Sequence, residues 1–268
     1  MTAIALSIAG TDPTSGAGIQ ADLKTFSALG VYGATVITAL VAQNTCGVTA
    51  IHDVPADFVA AEIDAVFSDL AVGATKIGML SKPEVIETVA EGLTRWEPGP
   101  VVLDPVMVAA SGDPLIADEA VTSLRERLFP LSAVITPNLM EAARLLDVEL
   151  AQDSEAMLRQ AKALADFGAG AVLLKGGHGN GDEAADLLWF EGEAHWFSAP
   201  RIDTKNTHGT GCTLSSAIAA GLANGLALPE AVDAAKAYVH NAIVNADLLE
   251  VGKGHGPVHH FYRQWRNG

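Results

Sequence analysis

The order of hydrophobic and polar positions along the chain predicts short strands that alternate with helices. Residues 4–9 form an apolar run that ends at Gly10, and the apolar residues between 19 and 29 recur at spacings of four and three, the period of one helix face. The same alternation continues to the end of the chain. It predicts further strands over 33–41, 76–80, 101–103, 133–136 and 171–174, a hairpin of 187–190 with 195–197, and helices over 58–70, 85–96, 117–128, 139–146, 154–167, 212–224 and 229–248.

Short strands separated by helices are typical of a mostly parallel sheet that helices cover on both faces. The sequence shows no internal repeat, low-complexity tract or long linker, so we expect an α/β protein with a single domain over residues 1–268. In sheets of this class ligands bind at the carboxyl ends of the strands. Polar residues directly after predicted strands are therefore the first candidates for a functional site.

Composition narrows the class of protein. Hydrophobic residues make up 49% of the chain and charged residues 18%, which predicts a large core and argues against disorder. The formal net charge of −16 argues against a nucleic-acid partner or an anionic membrane surface. Two cysteines do not make a disulfide framework, and no signal segment or membrane-spanning apolar run is seen. We expect a reduced, cytoplasmic protein.

A glycine-rich turn in the C-terminal third carries the strongest candidate chemistry. Gly209 and Gly211 flank Thr210 and lead through Cys212 into an Ala- and Leu-rich predicted helix. Glycines let a ligand approach the backbone closely, and the free N–H groups of a first helical turn bind anions. The same field is expected to lower the pKa of the Cys212 thiol. The alternative is an ordinary helix start, capped by Thr207 or by Thr210, with a buried cysteine.

Four polar clusters follow predicted strands. They lie at 10–18, which opens a helix that carries Asp22, and at 43–45, 104–107 and 136–141. Each has an alternative without function. Asn138 and Glu141 have the spacing of a helix capping box, Asp104 before a proline could be a turn residue, and Gln43 could bond loop backbone.

Several familiar site motifs are absent from the sequence. There is no Gly-x4-Gly-Lys-Ser/Thr, no Gly-x-Gly-x-x-Gly after the first strand and no Gly-x-Ser-x-Gly, which argues against a P-loop, a dinucleotide fingerprint and a hydrolase elbow. His259 and His260 could suggest a metal, but no ligand set completes a site near them.

Taken together, the motifs resemble one family over nearly the whole chain. The stretches AGTDPTSGAGIQADLKTF, ITALVAQNT, TKIGML, VVLDPVM, ITPNLMEA, LLKGGH, NTHGTGCTLSSAIAA and VGKGHGPVHHF occur in this order. In this combination they resemble the hydroxymethylpyrimidine/phosphomethylpyrimidine kinases of thiamine biosynthesis, in the ribokinase-like superfamily. The resemblance implies a three-layer α/β/α sandwich and a homodimer. It also implies phosphorylation of 4-amino-5-hydroxymethyl-2-methylpyrimidine to its monophosphate and then its diphosphate, with ATP as donor and Mg²⁺.

The resemblance also implies roles for individual residues. The anion hole would be Gly209, Thr210 and Gly211, beside Cys212, which stands where most of the superfamily has an Asp base. The pyrimidine pocket would contain Gln43 against the ring, with Gly10, Asp22, Val41, Met79 and Val106 around it. The nucleotide would lie near Lys175, with Lys205, His208 and Lys236 as weaker candidates, and the metal near Asn138, Glu141 and Asp104.

The implied reaction asks little covalent chemistry of the protein, because phosphoryl transfer depends mainly on positioning and charge neutralisation. Cys212 would take the proton of the substrate hydroxyl in the first step. A thiol that only orients the acceptor is the alternative. In the second step the acceptor is a monophosphate that is mostly ionised near neutral pH, so a base has little to do.

Three other functions remain open at this stage. A pyridoxal kinase of the cysteine type would have the same fold and differ in its ring substrate. A catalytically silent pyrimidine-binding module would lack the Gly-Thr-Gly-Cys and Asn-x-x-Glu elements, both of which are present. An enzyme that uses Cys212 as nucleophile would need a partner base, and His208 is the only near neighbour in sequence.

Overall fold

The computed structural model describes residues 2–108, 115–177 and 182–265. His178, in one of the motifs above, lies outside the described residues. The strands are β1 (Ile4–Ala9), β2 (Tyr32–Ile37), β3 (Ala39–Asn44), β4 (Gly47–Asp53), β5 (Ala74–Ile77), β6 (Val101–Leu103), β7 (Val134–Ile135), β8 (Ala171–Lys175), β9 (Glu183–Phe190) and β10 (Glu193–Pro200). The α-helices are α1 (Gly18–Ala28), α2 (Ala56–Phe67), α3 (Pro83–Trp96), α4 (Asp118–Ser123), α5 (Leu139–Leu146), α6 (Ser154–Ala165), α7 (Thr210–Ala223) and α8 (Leu228–Val244).

The eight-stranded central sheet has the order β10-β9-β8-β7-β6-β5-β1-β2. Six strands, from β8 to β2 in this order, run parallel, and the predicted β9–β10 hairpin adds two antiparallel strands at one edge. The mostly parallel sheet is therefore confirmed. One sheet that includes strands from both ends of the chain is compatible with a single domain over 1–268, which stays a prediction.

Helices cover both faces of this sheet, because successive side chains of a strand point to opposite faces. In β6, Val102 packs with residues of α1, α7 and α8, such as Phe26 and Ile218. Its neighbours Val101 and Leu103 pack in a second cluster with residues of α2, α3 and α6. The three-layer α/β/α sandwich is confirmed.

The predicted strand over 33–41 is wrong as a single element. The chain leaves the sheet at Thr38, whose N–H donates to Ala9 O and whose hydroxyl donates to Met79 O. Residues after this point form β3, which within the described part of the chain pairs with β4 in a separate two-stranded ribbon. β4 was not predicted, because most of its side chains are exposed and it lacks the apolar alternation of a half-buried strand.

The predicted helix over 117–128 is a second difference. The α-helix ends at Ser123, and a π-helical turn continues over Leu124–Leu128. Leu124 and Leu128 are both buried, so the hydrophobic pattern is the one expected of a helix and carries no information about the hydrogen-bond register. The remaining predicted helices are found with shifted ends. Among the described residues, no helix is long and apolar enough to cross a membrane.

Candidate active site

The glycine turn predicted as an anion hole starts α7. Gly209 is the N-cap residue and has a φ of 79°, in the left-handed region that favours glycine. Within the described residues, no side chain caps this end of the helix. The Thr210 hydroxyl donates instead to Thr207 O, outside the helix. The expected alternative, a cap by the side chain of Thr207 or Thr210, is therefore wrong. The Thr210 N–H donates to Thr207 O, and among the described residues the next N–H groups of α7 are left for an anion.

The loop after β1 packs directly on this turn. A Cβ atom at Gly209 would lie 1.8 Å from Gly16 O, and one at Gly16 would lie 2.3 Å from the His208 ring. Neither position can carry a side chain without moving backbone or ring. Gly18, at the end of the same loop, directs its backbone N–H at Cys212. Two glycine segments that are almost 200 residues apart in sequence therefore form one surface.

Cys212 is partly buried at this surface. Burial, together with the carboxylates of Asp22 and Asp104, raises the pKa of its thiol to about 11, against the opposing effect of the Lys76 ammonium and the Gly18 N–H. The expectation of a lowered Cys212 pKa is therefore wrong. The helix terminus by itself would lower the pKa of the thiol, but the fold buries the thiol and brings the carboxylates of Asp22 and Asp104 close to it.

Lys175 and Asp104 face the glycine turn from the sheet. Asp104 follows β6 and Lys175 ends β8, so both lie at carboxyl ends of strands, as was predicted for Asp104. The Lys175 ammonium lies 2.9 Å from Asp104 Oδ1 and 3.9 Å from Glu141 Oε2. A Cβ atom at Gly211 would lie 3.5 Å from Lys175 Nζ and 3.6 Å from Asp104 Oδ2. The absence of a side chain at Gly211 therefore opens the turn toward the Lys175 ammonium.

Asn138 and Glu141 form the capping box that their spacing predicts. The Glu141 N–H donates to Asn138 Oδ1 at 2.9 Å, and the Asn138 N–H donates to Glu141 Oε2 at 2.7 Å. Glu141 is buried, and burial together with the Asp104 carboxylate raises the pKa of its carboxyl group to about 7, against the opposing effect of Lys175. Capping is confirmed, and the Met107 backbone N–H also acts on the Glu141 carboxyl group.

These residues fit a magnesium ion that a nucleotide brings with it. Among the described residues, no group of three or more His, Cys, Asp or Glu side chains could hold a metal on its own. Mg²⁺ commonly takes only one or two carboxylates together with substrate phosphates and water. Asp104 and Glu141 are two such carboxylates within reach of the single Lys175 ammonium, and a second cation there would offset their mutual repulsion.

Three residues of the predicted pyrimidine pocket are in contact with one another. A Cβ atom at Gly10 would lie 3.2 Å from the Met79 sulfur and 3.7 Å from Val41 Cγ2, and Val41 and Met79 share a small buried cluster. Gln43 follows on the same ribbon strand, beside a register shift between Ala42 and Gln43. Such a bulge re-aims the following side chain. Gln43 was expected after a strand of the main sheet, and that placement is wrong because β3 belongs to the ribbon.

The other pocket candidates lie deeper or apart. Asp22 is fully buried, and its carboxylate accepts hydrogen bonds from Lys76, Ser7 and Ser216. The Asp22 carboxylate is therefore bound to protein groups, within electrostatic reach of Cys212. Its contact with substrate stays a prediction. Val106 is partly buried two residues after Asp104.

The weaker nucleotide candidates are not brought together. The Lys236 ammonium lies 2.6 Å from the Asp186 carboxylate, which also accepts a hydrogen bond from the Gly176 N–H. Lys236 therefore lies next to the loop that follows Lys175. Lys205 is exposed. His208 is buried against Asp12. Lys236, on α8, reaches the neighbourhood of Lys175, because its partner Asp186 on β9 lies opposite Lys175 on β8.

Sequence reasoning missed two buried charged residues of this region. Lys76, in the quoted stretch TKIGML, is fully buried and binds Asp22 at 2.8 Å. Asp12, in the first glycine loop, is fully buried and binds His208 at 2.8 Å. The signal for Lys76 was a lysine inside a short apolar strand, and for Asp12 an acidic residue among glycines.

Known proteins are similar to this chain over nearly its whole length. The family profile described as phosphomethylpyrimidine kinase matches residues 12–259. A hydroxymethylpyrimidine/phosphomethylpyrimidine kinase of Rhizobium meliloti is 61% identical over 100% of both chains. This chain belongs to the phosphomethylpyrimidine kinase family. Its relatives with that name are phosphotransferases, and so is this protein.

Two solved structures show the same fold. The ADP complex of a Bacillus subtilis pyridoxal kinase has a TM-score of 0.92 at 36% identity, over 99% of this chain and 100% of that one. A phosphomethylpyrimidine kinase of Clostridium difficile has a TM-score of 0.80 at 42% identity, over 90% and 99%. The family therefore shares its architecture with pyridoxal kinases, so the fold alone does not distinguish a pyrimidine substrate from pyridoxal.

The raised pKa of Cys212 predicts the order of cysteine alkylation. Cys46 is exposed, so iodoacetamide should modify Cys46 before Cys212 at pH 7.5. Because the thiolate is the nucleophile, the Cys212 rate should rise about tenfold per pH unit below pH 11. Peptide mass spectrometry measures both rates, and the pyrimidine substrate should protect Cys212 alone. Faster labelling of Cys212 at neutral pH would contradict the burial argument.

Proposed function

We propose that this kinase transfers the γ-phosphoryl group of ATP to 4-amino-5-hydroxymethyl-2-methylpyrimidine, and then to the resulting monophosphate, as part of thiamine diphosphate biosynthesis. The observation that carries the proposal is the approach of Gly211 to Lys175 and Asp104. It places an uncapped helix N-terminus opposite a buried ammonium. Gly10, Val41 and Met79 would form the acceptor pocket beside the same turn, because a Cβ atom at Gly18, whose N–H is directed at Cys212, would lie 2.6 Å from Gly10 O.

In each reaction an acceptor oxygen bonds to the γ-phosphorus while the bond to the bridging oxygen of ATP breaks, and ADP leaves. The charge on the transferring group would be neutralised by the N–H groups of the α7 turn on one side and by Lys175 on the other. Burial lowers the pKa of Lys175, but Asp104 and Glu141 outweigh it and raise the pKa above its ordinary value. Lys175 is therefore charged at any working pH.

Cys212 would act chiefly by orienting the acceptor oxygen. With a pKa of about 11 its thiol is protonated near neutral pH, so the thiolate needed to take a proton is scarce. The hydroxyl proton of the first acceptor then leaves late, to phosphate oxygens or water, after the new P–O bond has largely formed. The second acceptor is already ionised, and the same turn serves both steps.

Mg²⁺ bound with ATP would supply further charge neutralisation between the phosphates. Asp104 and Glu141 would hold it, and Asn138 would keep Glu141 in place through the capping box. Lys175 would keep Asp104 ionised, because burial raises the pKa of Asp104 while Lys175 and Lys76 lower it below its ordinary value.

Purified protein with Mg-ATP should convert the aminopyrimidine alcohol to its monophosphate and diphosphate, as read by product mass, in preference to pyridoxal. Gln43→Leu should raise the Michaelis constant for the pyrimidine about tenfold or more, because a buried polar contact is lost. The constant for ATP should change little. Pyridoxal as the better substrate would favour the other kinase of this fold, and an unchanged pyrimidine constant would remove Gln43 from the site.

Glu141→Gln tests the metal assignment. The amide can no longer serve as an anionic ligand, so turnover should fall by about 100-fold or more if Glu141 holds Mg²⁺. In the wild type, the affinity for Mg²⁺ should weaken as pH falls below 7, because Glu141 then takes up a proton. Loss of a cap alone costs about 0.5–2 kcal/mol of stability. A variant with a lowered melting temperature and normal turnover would show that Glu141 only caps α5.

The homodimer is a further part of the proposal. The β3–β4 ribbon exposes Leu40 and Ile51, which line a groove with Pro13 and Ala42, and an isolated two-stranded ribbon gains stability from a cover. A second copy of the chain would provide it. Sedimentation equilibrium should give a mass of twice 27.7 kDa, and Leu40→Glu should shift it to the monomer. A wild-type monomer at micromolar concentration would exclude this dimer.

We also propose the cytoplasm as its compartment. ATP is its phosphoryl donor, and both cysteines of the chain are free, as is usual for proteins of a reducing compartment.

A further inference from the structure

The C-terminal segment 254–260 packs along the residues that lead into the anion hole. The His208 N–H donates to Gly256 O at 3.0 Å, and the Val258 N–H donates to His208 O at 3.3 Å. The two stretches form a parallel β-bridge next to the turn at Gly209. The sequence stretch VGKGHGPVHHF, which carries none of the proposed catalytic groups, therefore lies directly against the glycine turn.

His260, at the end of this segment, reaches the first turn of α7. Its ring is buried, and its Nε2 lies 3.0 Å from Thr213 Oγ1. The Thr213 hydroxyl and the Thr213 N–H both donate to Gly209 O, each at 2.8 Å. A hydrogen-bond chain therefore runs from His260 through Thr213 to the carbonyl of the N-cap residue.

The number of protons sets the direction of this hydrogen-bond chain. A hydroxyl carries one proton, and that of Thr213 goes to Gly209 O, the shorter of its two contacts. The Thr213 oxygen then accepts from His260, so Nε2 of the ring carries a proton. Burial, with smaller effects of nearby charged groups, lowers the pKa of the His260 imidazole to about 3. The ring is therefore neutral near pH 7, and its Nδ1 carries no proton.

The turn itself needs such a restraint. Glycine residues on both sides of Thr210 leave the backbone of the turn free to rotate, whereas an anion hole is effective only if its N–H groups are fixed before the charge develops. The peptide plane between Gly209 and Thr210 is the first of the turn, and the bonds to Gly209 O fix its orientation. The N–H groups that follow Thr210 in α7 then keep one direction.

We propose that His260 is a positioning residue of phosphoryl transfer, which fixes the Gly209 carbonyl through the Thr213 hydroxyl and thereby fixes the anion hole. The inference rests on the proposed function, because the anion hole has a role only if a phosphoryl group is transferred there. His260 acts through Thr213 and not on the substrate, so its loss lowers the rate of transfer and leaves acceptor binding intact.

The test is the rate of phosphoryl transfer in a single turnover, measured by rapid quench for the pyrimidine alcohol and for its monophosphate. In His260→Phe the ring cannot donate, so both rates should fall about tenfold, the effect of about one hydrogen bond. The Michaelis constant for the pyrimidine should stay within about twofold, because other segments build the acceptor pocket. His260→Gln should restore both rates to within about threefold of the wild type, because its side-chain amide can donate to Thr213.

Variants of Thr213 test the same hydrogen-bond chain from its other end. Thr213→Val keeps the shape of the side chain but removes the hydroxyl, so it should lose as much as His260→Phe. Thr213→Ser keeps the hydroxyl and should stay within about threefold of the wild type. In a double-mutant cycle, His260→Phe combined with Thr213→Val should be no slower than the slower single variant.

Two matched controls lie outside the hydrogen-bond chain. His259 is also buried, and its ring packs on Trp265 with the ring centroids 5.4 Å apart. The Thr94 hydroxyl donates to Ala90 O at 2.8 Å within α3, a helical bond of the same kind as that of Thr213. His259→Phe and Thr94→Val should therefore both keep the wild-type rates.

A folded His260→Phe protein with wild-type rates would overturn the proposal, and so would losses in the double variant that multiply as independent effects. If neither His260→Phe nor Thr213→Val folds, the ring nitrogens of His260 in a ¹⁵N spectrum of the wild type decide instead. A proton on Nε2 supports the hydrogen-bond chain, and a proton on Nδ1 overturns it.

Failure of the proposed function would have a different signature. If the protein phosphorylates pyridoxal and not the pyrimidine, the same rate losses with pyridoxal contradict the assigned acceptor and still support the role of His260. If the wild type phosphorylates the pyrimidine but carries the His260 proton on Nδ1, the proposed function stands and the role of His260 is overturned.

Discussion

The site depends on one close approach of backbone to backbone, between the loop after β1 and the turn before α7. Gly16 O occupies the place where any larger residue at position 209 would put its Cβ atom. A helix N-terminus presents unpaired N–H groups only if no side chain caps it, and this contact keeps the turn of α7 both uncapped and fixed. The fold then needs only to bring a cation and an acceptor pocket to the two sides of that turn.

The charges around the turn are arranged as buried pairs. Lys76 binds Asp22, and Lys175 binds Asp104. A buried ion pair contributes little to stability compared with a well-packed apolar pair, so its presence at this position is better explained by function. Each pair keeps one ammonium within electrostatic reach of Cys212, while burial of the thiol and the two carboxylates keep its pKa raised.

Most of the architecture could be predicted from the sequence because the strands of a parallel sheet are buried on both faces and read as apolar runs. The ribbon could not, because most side chains of β4 are exposed and therefore show no hydrophobic pattern. The capping box at Asn138 and Glu141 was readable because it is local. The pairs of Asp22 with Lys76 and of Asp12 with His208 join residues 54 and 196 positions apart, and no spacing in the sequence encodes such contacts.

The same distinction explains the error about Cys212. A helix terminus is a local feature and lowers a thiol pKa, whereas the burial and the carboxylates that raise it come from distant segments. The raised value also gives a physical reason for a cysteine where the resemblance shows that most ribokinase-like enzymes carry an Asp. Asp22, Asp104 and Glu141 already face the two ammonium groups of Lys76 and Lys175. A further carboxylate would add negative charge where ATP must bind, and a neutral thiol can touch the acceptor oxygen without that repulsion.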